Sequence, residues 1–144
     1  MIAILEDDAE RMEAMRSELQ SRIPDEPVIF FDNAPDMIAW LQENIATVKL
    51  FSLDHDLGPN REREGEVFDP GIGRDVVDYM EQVGHRCPVV VHSSNSIAVS
   101  GMKLVLEMAG WPYERVVPFN DTTWIHDVWG GTMLAMLGPA EGQE

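Results

Sequence analysis

The sequence predicts an α/β domain in which one parallel sheet is covered by helices on both faces. Three observations predict it. Short apolar runs alternate five times with segments of helical period. One run, Pro88–Val91 (PVVV), is apolar throughout, as a strand buried on both faces must be. Two of the runs end in acid: Glu6, Asp7 and Asp8 follow the first, Asp54 and Asp56 the third. With 144 residues, 44% apolar, including four Trp and nine Met, the chain can bury the core of one domain, and no Pro-, Gly- or Ser-rich stretch divides it.

Taken in order, Met1–Leu5 (MIAIL) is short and apolar and reads as a buried strand whose end emerges at the sheet edge. Ala9 to Arg22 places Met12, Met15 and Leu19 at helical spacing, and Pro24 stops the helix. Val28–Phe31 (VIFF) is the second strand. Asn33, Pro35 and Asp36 form a helix start with Asn33 as its cap, and Met37, Ile38, Trp40 and Leu41 line one face behind it. The third strand spans Val48 to Asp54. Gly58 to Gly73 follows, polar and without periodic pattern, and reads as the longest loop. Arg74 to Val83 returns to helical spacing through Val76, Val77 and Met80. After PVVV, Ser96 to Ala109 is the fourth helix, Arg115–Phe119 holds a fifth strand, and Thr123 to Leu137 closes the fold as a helix. Right-handed crossovers between these strands give a flavodoxin-like, doubly wound, five-stranded parallel sheet in the order 2-1-3-4-5, a single domain over residues 1–144.

The formal charge of −16 disfavours bulk binding to nucleic acid or anionic membrane, since affinity for polyanions rests on Lys and Arg neutralising phosphates. No stretch has membrane-spanning length, and Met1–Leu5 runs into acid rather than following a basic start, so a cytoplasmic setting is expected. The lone Cys87 reads as a buried small hydrophobe.

In a parallel sheet of this kind ligands collect beyond the carboxyl ends of the strands, where both acidic clusters land. Such a cluster is costly without a cation. A period of two sets Asp54 and Asp56 on one side if the strand conformation continues, with His55 facing away. With Asp7, and with Glu6 or Asp8, they form an oxygen-rich set suited to Mg²⁺ or Mn²⁺ better than to Ca²⁺; Asp8 alone also reads as a helix N-terminal charge. The fourth strand delivers His92, Ser93, Ser94 and Asn95 in succession. Their hydroxyls and amide can donate to phosphate oxygens, and His92 can carry a proton near neutral pH; the bland reading makes Ser94 or Asn95 a helix cap. His85 and His126 read as structural. Arg61, Arg63 and Arg74 can meet a substrate phosphate or serve as solvated ion-pair partners, and Gly71 and Gly73 mark a turn. Trp111, Tyr113, Trp124 and Trp129 read as packing of the last strand and helix, with a partner surface, such as a homodimer through those elements, as the second option.

At the strand ends ILEDD, LDHDLG, VVVHSS and VVPF the chain resembles a receiver domain of two-component signalling over nearly its whole length. That resemblance implies that Glu6 and Asp7 hold magnesium, that Asp54 is the phosphoacceptor and that Ser93 contacts the phosphoryl group. Receivers carry Lys before the Pro-Phe of strand five; here Val117 precedes Pro118 and Phe119, which removes the usual clamp on an aspartyl phosphate. Leu53 to Gly58, Gly73 to Val77 and His92 to Asn95 resemble instead the cyclic-phosphate processing receiver-like family. Its implied role is metal-dependent handling of a cyclic phosphate, such as an RNA 2′,3′-cyclic end or a cyclic nucleotide.

Three readings follow. In a metal-dependent phosphodiesterase, Glu6, Asp7, Asp54 and Asp56 hold the cation. His92, or failing that His55, is general base or acid, and Ser93, Ser94, Asn95 and Arg74 hold phosphate oxygens. In a stand-alone receiver, Asp54 carries a transient phosphoryl group. In an interaction module, the acidic pocket serves only ion-dependent folding.

Overall fold

The computed structural model describes residues 1–119 and 121–139. Strands β1 (Ile2–Leu5), β2 (Val28–Phe31), β3 (Leu50–Leu53), β6 (Val89–His92) and β7 (Tyr113–Val116) form one sheet in the order β2-β1-β3-β6-β7. All four pairings are parallel, so in chain order of the sheet strands this is 2-1-3-4-5, the order expected from the sequence. Helices α1 (Ala9–Arg22) and α5 (Gly130–Leu137) cover one face; α2 (Ala34–Asn44), α3 (Gly73–Glu81) and α4 (Ser96–Ala109) cover the other.

The pleat decides which side chain meets which layer. Ala3, Leu5, Phe51, Leu53, Val89 and Val91 pack with Met37 and Leu41 of α2, Val76 and Met80 of α3 and Met102 and Leu106 of α4. The alternate residues Ile2, Ile4, Leu50 and Val90 pack with Met15 and Leu19 of α1 and Met133 of α5. Cys87 is buried as expected, which pushes its thiol up to about 12. Asn33 caps α2, its Oδ1 accepting from the Asp36 amide at 2.8 Å.

The third strand is shorter than expected, Leu50–Leu53, and three other features differ from expectation. The fifth strand lies earlier, because its ladder with β6 begins at Val89 opposite Tyr113 and ends at Val116 before Pro118. The segment from Gly58 to Gly73 is not all loop: β4 (Arg61–Arg63) and β5 (Glu66–Phe68) form an antiparallel hairpin. Glu64 and Gly65 both have positive φ, 54° and 82°, as a two-residue hairpin turn demands. Each arm has only three residues, nearly all exposed, so the pattern carries no apolar alternation. The hairpin is pinned by Arg61 to Asp32 at 2.8 Å and Arg63 to Asp36 at 3.1 Å, both guanidinium groups lying over Phe68. Finally, the closing helix begins with a π turn, Ile125–Trp129. Bonding of i to i+5 brings residues five apart to one side, and Trp124 and Trp129 both enter the α1/α5 core.

Gly73 positions the site. A Cβ there would stand 2.0 Å from the Asp54 carbonyl oxygen and 2.9 Å from the His55 Cα, so α3 starts in direct backbone contact with the end of β3. Gly73→Ala is therefore expected to cost at least ~2 kcal/mol, since the obstruction is backbone rather than a movable side chain. Gly84→Ala, with nothing within 4 Å, should be neutral or slightly stabilising. Urea midpoints of the two variants measure the contrast.

Candidate metal and phosphate site

The alternation that builds the core also builds the site. Continuing Ile2 and Ile4 by a period of two leads to Glu6; Leu50 leads to Ser52 and Asp54; Val90 leads to His92. All four polar residues thus fall on the α1/α5 side, and all are buried: Glu6, Ser52 and His92 completely, Asp54 to within 6% exposure. Ligand atoms of Glu6, Asp54 and His92 lie within 4.8 Å of one another.

His92 is held at both nitrogens. Its Nδ1 is 2.7 Å from the Ser52 hydroxyl and its Nε2 is 3.2 Å from Glu6 Oε1. Trp129 Nε1 donates to Ser52 Oγ at 2.9 Å. A carboxylate only accepts and an indole only donates, so His92 Nε2 donates to Glu6. With a neutral imidazole the Ser52 proton reaches Nδ1 and every member of the chain is satisfied. The His92 ring also stacks on Trp124, with centroids 6.1 Å apart, and the Arg11 guanidinium lies 5.5 Å from the centre of the same indole. Arg11 Nη1 stands 3.6 Å from Glu6 Oε1 and 3.9 Å from Asp54 Oδ2.

Burial raises the Glu6 carboxyl, but the His92 contact, the Asp8 amide and Arg11 outweigh it and bring the group below its ordinary value. Asp54 goes the other way. Burial, with the charge of Glu6 added, overcomes His92, the His55 amide and Arg11, and pushes Asp54 up to about 6. Asp7 is also raised, by burial and by Glu6 beside it. The cations of the protein therefore leave this corner undercompensated, and the donors are hard oxygens, which fits Mg²⁺ or Mn²⁺. Glu6 and Asp54 would hold the ion, with His92 orienting Glu6 from behind.

The other expected site residues lie around this group. Asp7 falls on the opposite phase of the pleat; a Cβ on Gly58 would be 3.4 Å from its Oδ2, so Asp7 sits at the rim beside that loop. Asp54 and Asp56 do not share a side. β3 ends at Leu53, Asp54 Oδ1 accepts from the His55 amide at 2.7 Å, and this local turn breaks the extended conformation the expectation required. Asp56 is exposed instead, 3.0 Å from His55 Nδ1 and 3.3 Å from Asn95 Nδ2. Asn95 caps α4 through the Ala98 amide, and Ser93, buried, accepts from the Asn95 amide; Ser94 is exposed. Arg74 is turned to Asp78 at 2.7 Å and lies against Gly101 of α4. Asp8 caps α1 through the Arg11 amide. His85 bonds the Val48 carbonyl and His126 pairs with Glu18, both outside the site. Arg11, Ser52, Trp124 and Trp129 escaped the sequence reading of the site. Ser52 alone left a signal, as a lone hydroxyl on the apolar phase of VKLFSL.

Residues 2–108 match the family described as the cyclic-phosphate processing receiver domain. A comparison with curated proteins returned no match. Among solved structures, the chain is similar to the phosphorylated cyanobacterial phytochrome response regulator RcpA (TM-score 0.67, 16% identity, 91% of this chain and 89% of that one). It is also similar to the response regulator domain of Thermotoga maritima CheB (TM-score 0.66, 11% identity, 94% of each chain). A third is the Mn²⁺-bound form of the response regulator Rcp1 (TM-score 0.61, 17% identity, 92% and 96%). At these identities the likeness is one of fold. Among the described residues no helix is long and apolar enough to cross a membrane.

Asp54 makes a pH-dependent prediction. Its folded value of about 6 lies above the ordinary 3.8, so the folded chain binds a proton that the unfolded chain releases. This group favours folding below pH ~4, and the contribution disappears as pH rises through about 6. Asp54→Asn should therefore stabilise the metal-free protein at pH 8, by up to about 3 kcal/mol, with little gain at pH 4. Mg²⁺ or Mn²⁺ should raise the melting midpoint of the wild type at pH 8 and leave that of the variant unmoved.

Proposed function

The chain belongs to the cyclic-phosphate processing receiver domain family, and from that premise we propose that it is a metal-dependent phosphoesterase acting on a cyclic phosphate, an RNA 2′,3′-cyclic end or a cyclic nucleotide. The observation that carries this reading is the buried, undercompensated carboxylate pair Glu6 and Asp54 at the carboxyl edge of the sheet, with a guanidinium beside it. A divalent cation held there supplies Lewis acidity toward a phosphoryl oxygen and lowers the pKa of water. Asp7 and Asp56 add negative charge at the rim, where a second ion or its water shell is favoured.

His92 fits a positioning role better than the general base expected from sequence. It has no exposed surface, and both ring nitrogens are engaged. His55 is the better base. Asp56 accepts from Nδ1, which leaves Nε2 as the acceptor nitrogen of a neutral ring. In the reaction, water forms a bond to phosphorus and gives its proton to His55 Nε2. One ring P–O bond breaks, its oxygen takes that proton back, and a phosphomonoester with a free hydroxyl results.

The second reading, a stand-alone receiver phosphorylated on Asp54, draws on the place of Asp54 at the end of β3. Against it stands Val117 where receivers carry lysine. Both readings meet one experiment. Cyclic mononucleotides, cyclic dinucleotides and RNA with 2′,3′-cyclic ends are incubated with Mg²⁺, Mn²⁺ or chelator, and in parallel the protein is exposed to a small phosphodonor and weighed intact. Turnover that needs metal and vanishes with chelator is expected, without a stable protein adduct. An adduct lost in Asp54→Asn, together with no turnover on any substrate, would favour the receiver.

A further inference from the structure

We infer that Arg11 is the phosphate-gripping cation of this site, reaching the substrate's phosphoryl oxygens from the first turn of α1 in place of a basic residue at the end of the last strand; this rests on the phosphoesterase reading. The eight arginines of the chain differ in how their guanidinium groups are engaged. Arg16, Arg22, Arg61, Arg63 and Arg74 each donate a side-chain hydrogen bond to a carboxylate, while Arg86 and Arg115 donate to backbone carbonyls. Arg11 alone donates none to the described residues. Its approaches to Glu6 and Asp54, 3.6 and 3.9 Å, are ionic contacts too long for hydrogen bonds.

A guanidinium has five donors in a planar fork that matches phosphate, and here they are left for a ligand. The group is nevertheless held in place. The Arg11 amide donates to Asp8 Oδ1 at 2.9 Å, fixing the first helical turn, and the guanidinium lies over Trp124, itself fully buried. The side chain is 30% exposed, so one edge meets the carboxylates and the other meets solvent. That outer edge borders a cavity of about 340 Å³ with Asp8, Glu10, Pro118, Phe119 and Asp121, in which Arg11 is the only base among the described residues. Glu6 and Asp54 do not line that cavity, so a phosphate there would meet the outer edge of Arg11, with a cation on the two carboxylates behind the guanidinium. The acidic remainder of the cavity disfavours further phosphates, which suits a mononucleotide better than a nucleic-acid end.

The test uses the Mn²⁺-loaded full chain and two probes, 2′,3′-cyclic AMP and orthophosphate, with binding followed by calorimetry and Mn²⁺ affinity measured separately. Arg11→Gln is expected to weaken both probes about tenfold or more, and Arg11→Lys to recover part of the loss. Arg16→Gln, which removes the same charge from the same helix at a residue paired with Glu13, should bind as the wild type does. Mn²⁺ should bind Arg11→Gln at least as tightly as the wild type, because a positive neighbour of the carboxylates is gone. Arg11→Met, which keeps apolar packing on Trp124, should show the same loss if Arg11→Gln folds poorly. Probe affinity unchanged in Arg11→Gln or Arg11→Met overturns the inference and leaves the phosphoesterase reading standing, as does a loss that merely follows weakened Mn²⁺ binding. A Mn²⁺-loaded wild type that binds neither probe overturns that reading and the inference together.

Discussion

Two carboxylates withdrawn from water at one corner of the sheet set the terms for the rest of this structure. Glu6 and Asp54 sit close enough to repel, in a place where burial already penalises each charge. The protein answers them unequally. Glu6 receives His92, the Asp8 amide and the nearby Arg11, and stays ionised. Asp54 has weaker support, from His92 without a hydrogen bond, from one backbone amide and from Arg11 at 3.9 Å, so it holds its proton to about 6. An imbalance of this kind persists in a stable fold when an outside cation completes it, and the oxygen donors fit that partner.

His92 can serve Glu6 only because something serves His92. The Ser52 hydroxyl meets its second nitrogen, Trp129 meets Ser52, and the π turn brings Trp129 and Trp124 together against the sheet. A buried polar chain is stabilising when every member has a partner and costly when one does not. The closing helix is thus fixed by the same contacts that hold the carboxylate. Its approach to α1 is correspondingly tight: a Cβ on Gly130 would meet Glu18 at 2.8 Å, and Glu18 binds Arg22 and His126 there. A change at the acidic corner reaches the closing helix through three hydrogen bonds, Glu6 to His92, His92 to Ser52 and Ser52 to Trp129, rather than through a flexible linker.

Much of this was legible in the chain. The helices Ala9–Arg22 and Ser96–Ala109 follow from periods and stops that local residues determine, and the strand order from the crossover rules of an alternating α/β chain. The hairpin was not legible, because three-residue arms held by Arg61 and Arg63 to a distant turn depend on contacts rather than pattern. The acids were legible as a group but not in their pairing. A strict period of two from Ile2 selects Glu6 over Asp7, and the same count from Leu50 selects Ser52 and Asp54; Asp56 drops out because a local turn at Asp54 ends the pleat. Arg11 left no comparable mark. It lies on a helix whose apolar face is elsewhere, and its reach toward Asp54 is a matter of side-chain direction in three dimensions.

The charge of the whole chain sharpens what the site must do. At −16 the protein repels any phosphate at long range, and at physiological salt that field fades over about 8 Å. Affinity therefore has to arise within the last few ångströms. A cation held by Glu6 and Asp54, as proposed, and the fork of Arg11 would act at that range, where the carboxylates are buried and each charge counts for more. A ligand with several phosphates keeps most of them in the repulsive field while only one is gripped. On the proposed phosphoesterase reading, a ligand with a single cyclic phosphate would place its whole charge where attraction dominates, and an acidic surface would favour small substrates over nucleic acid.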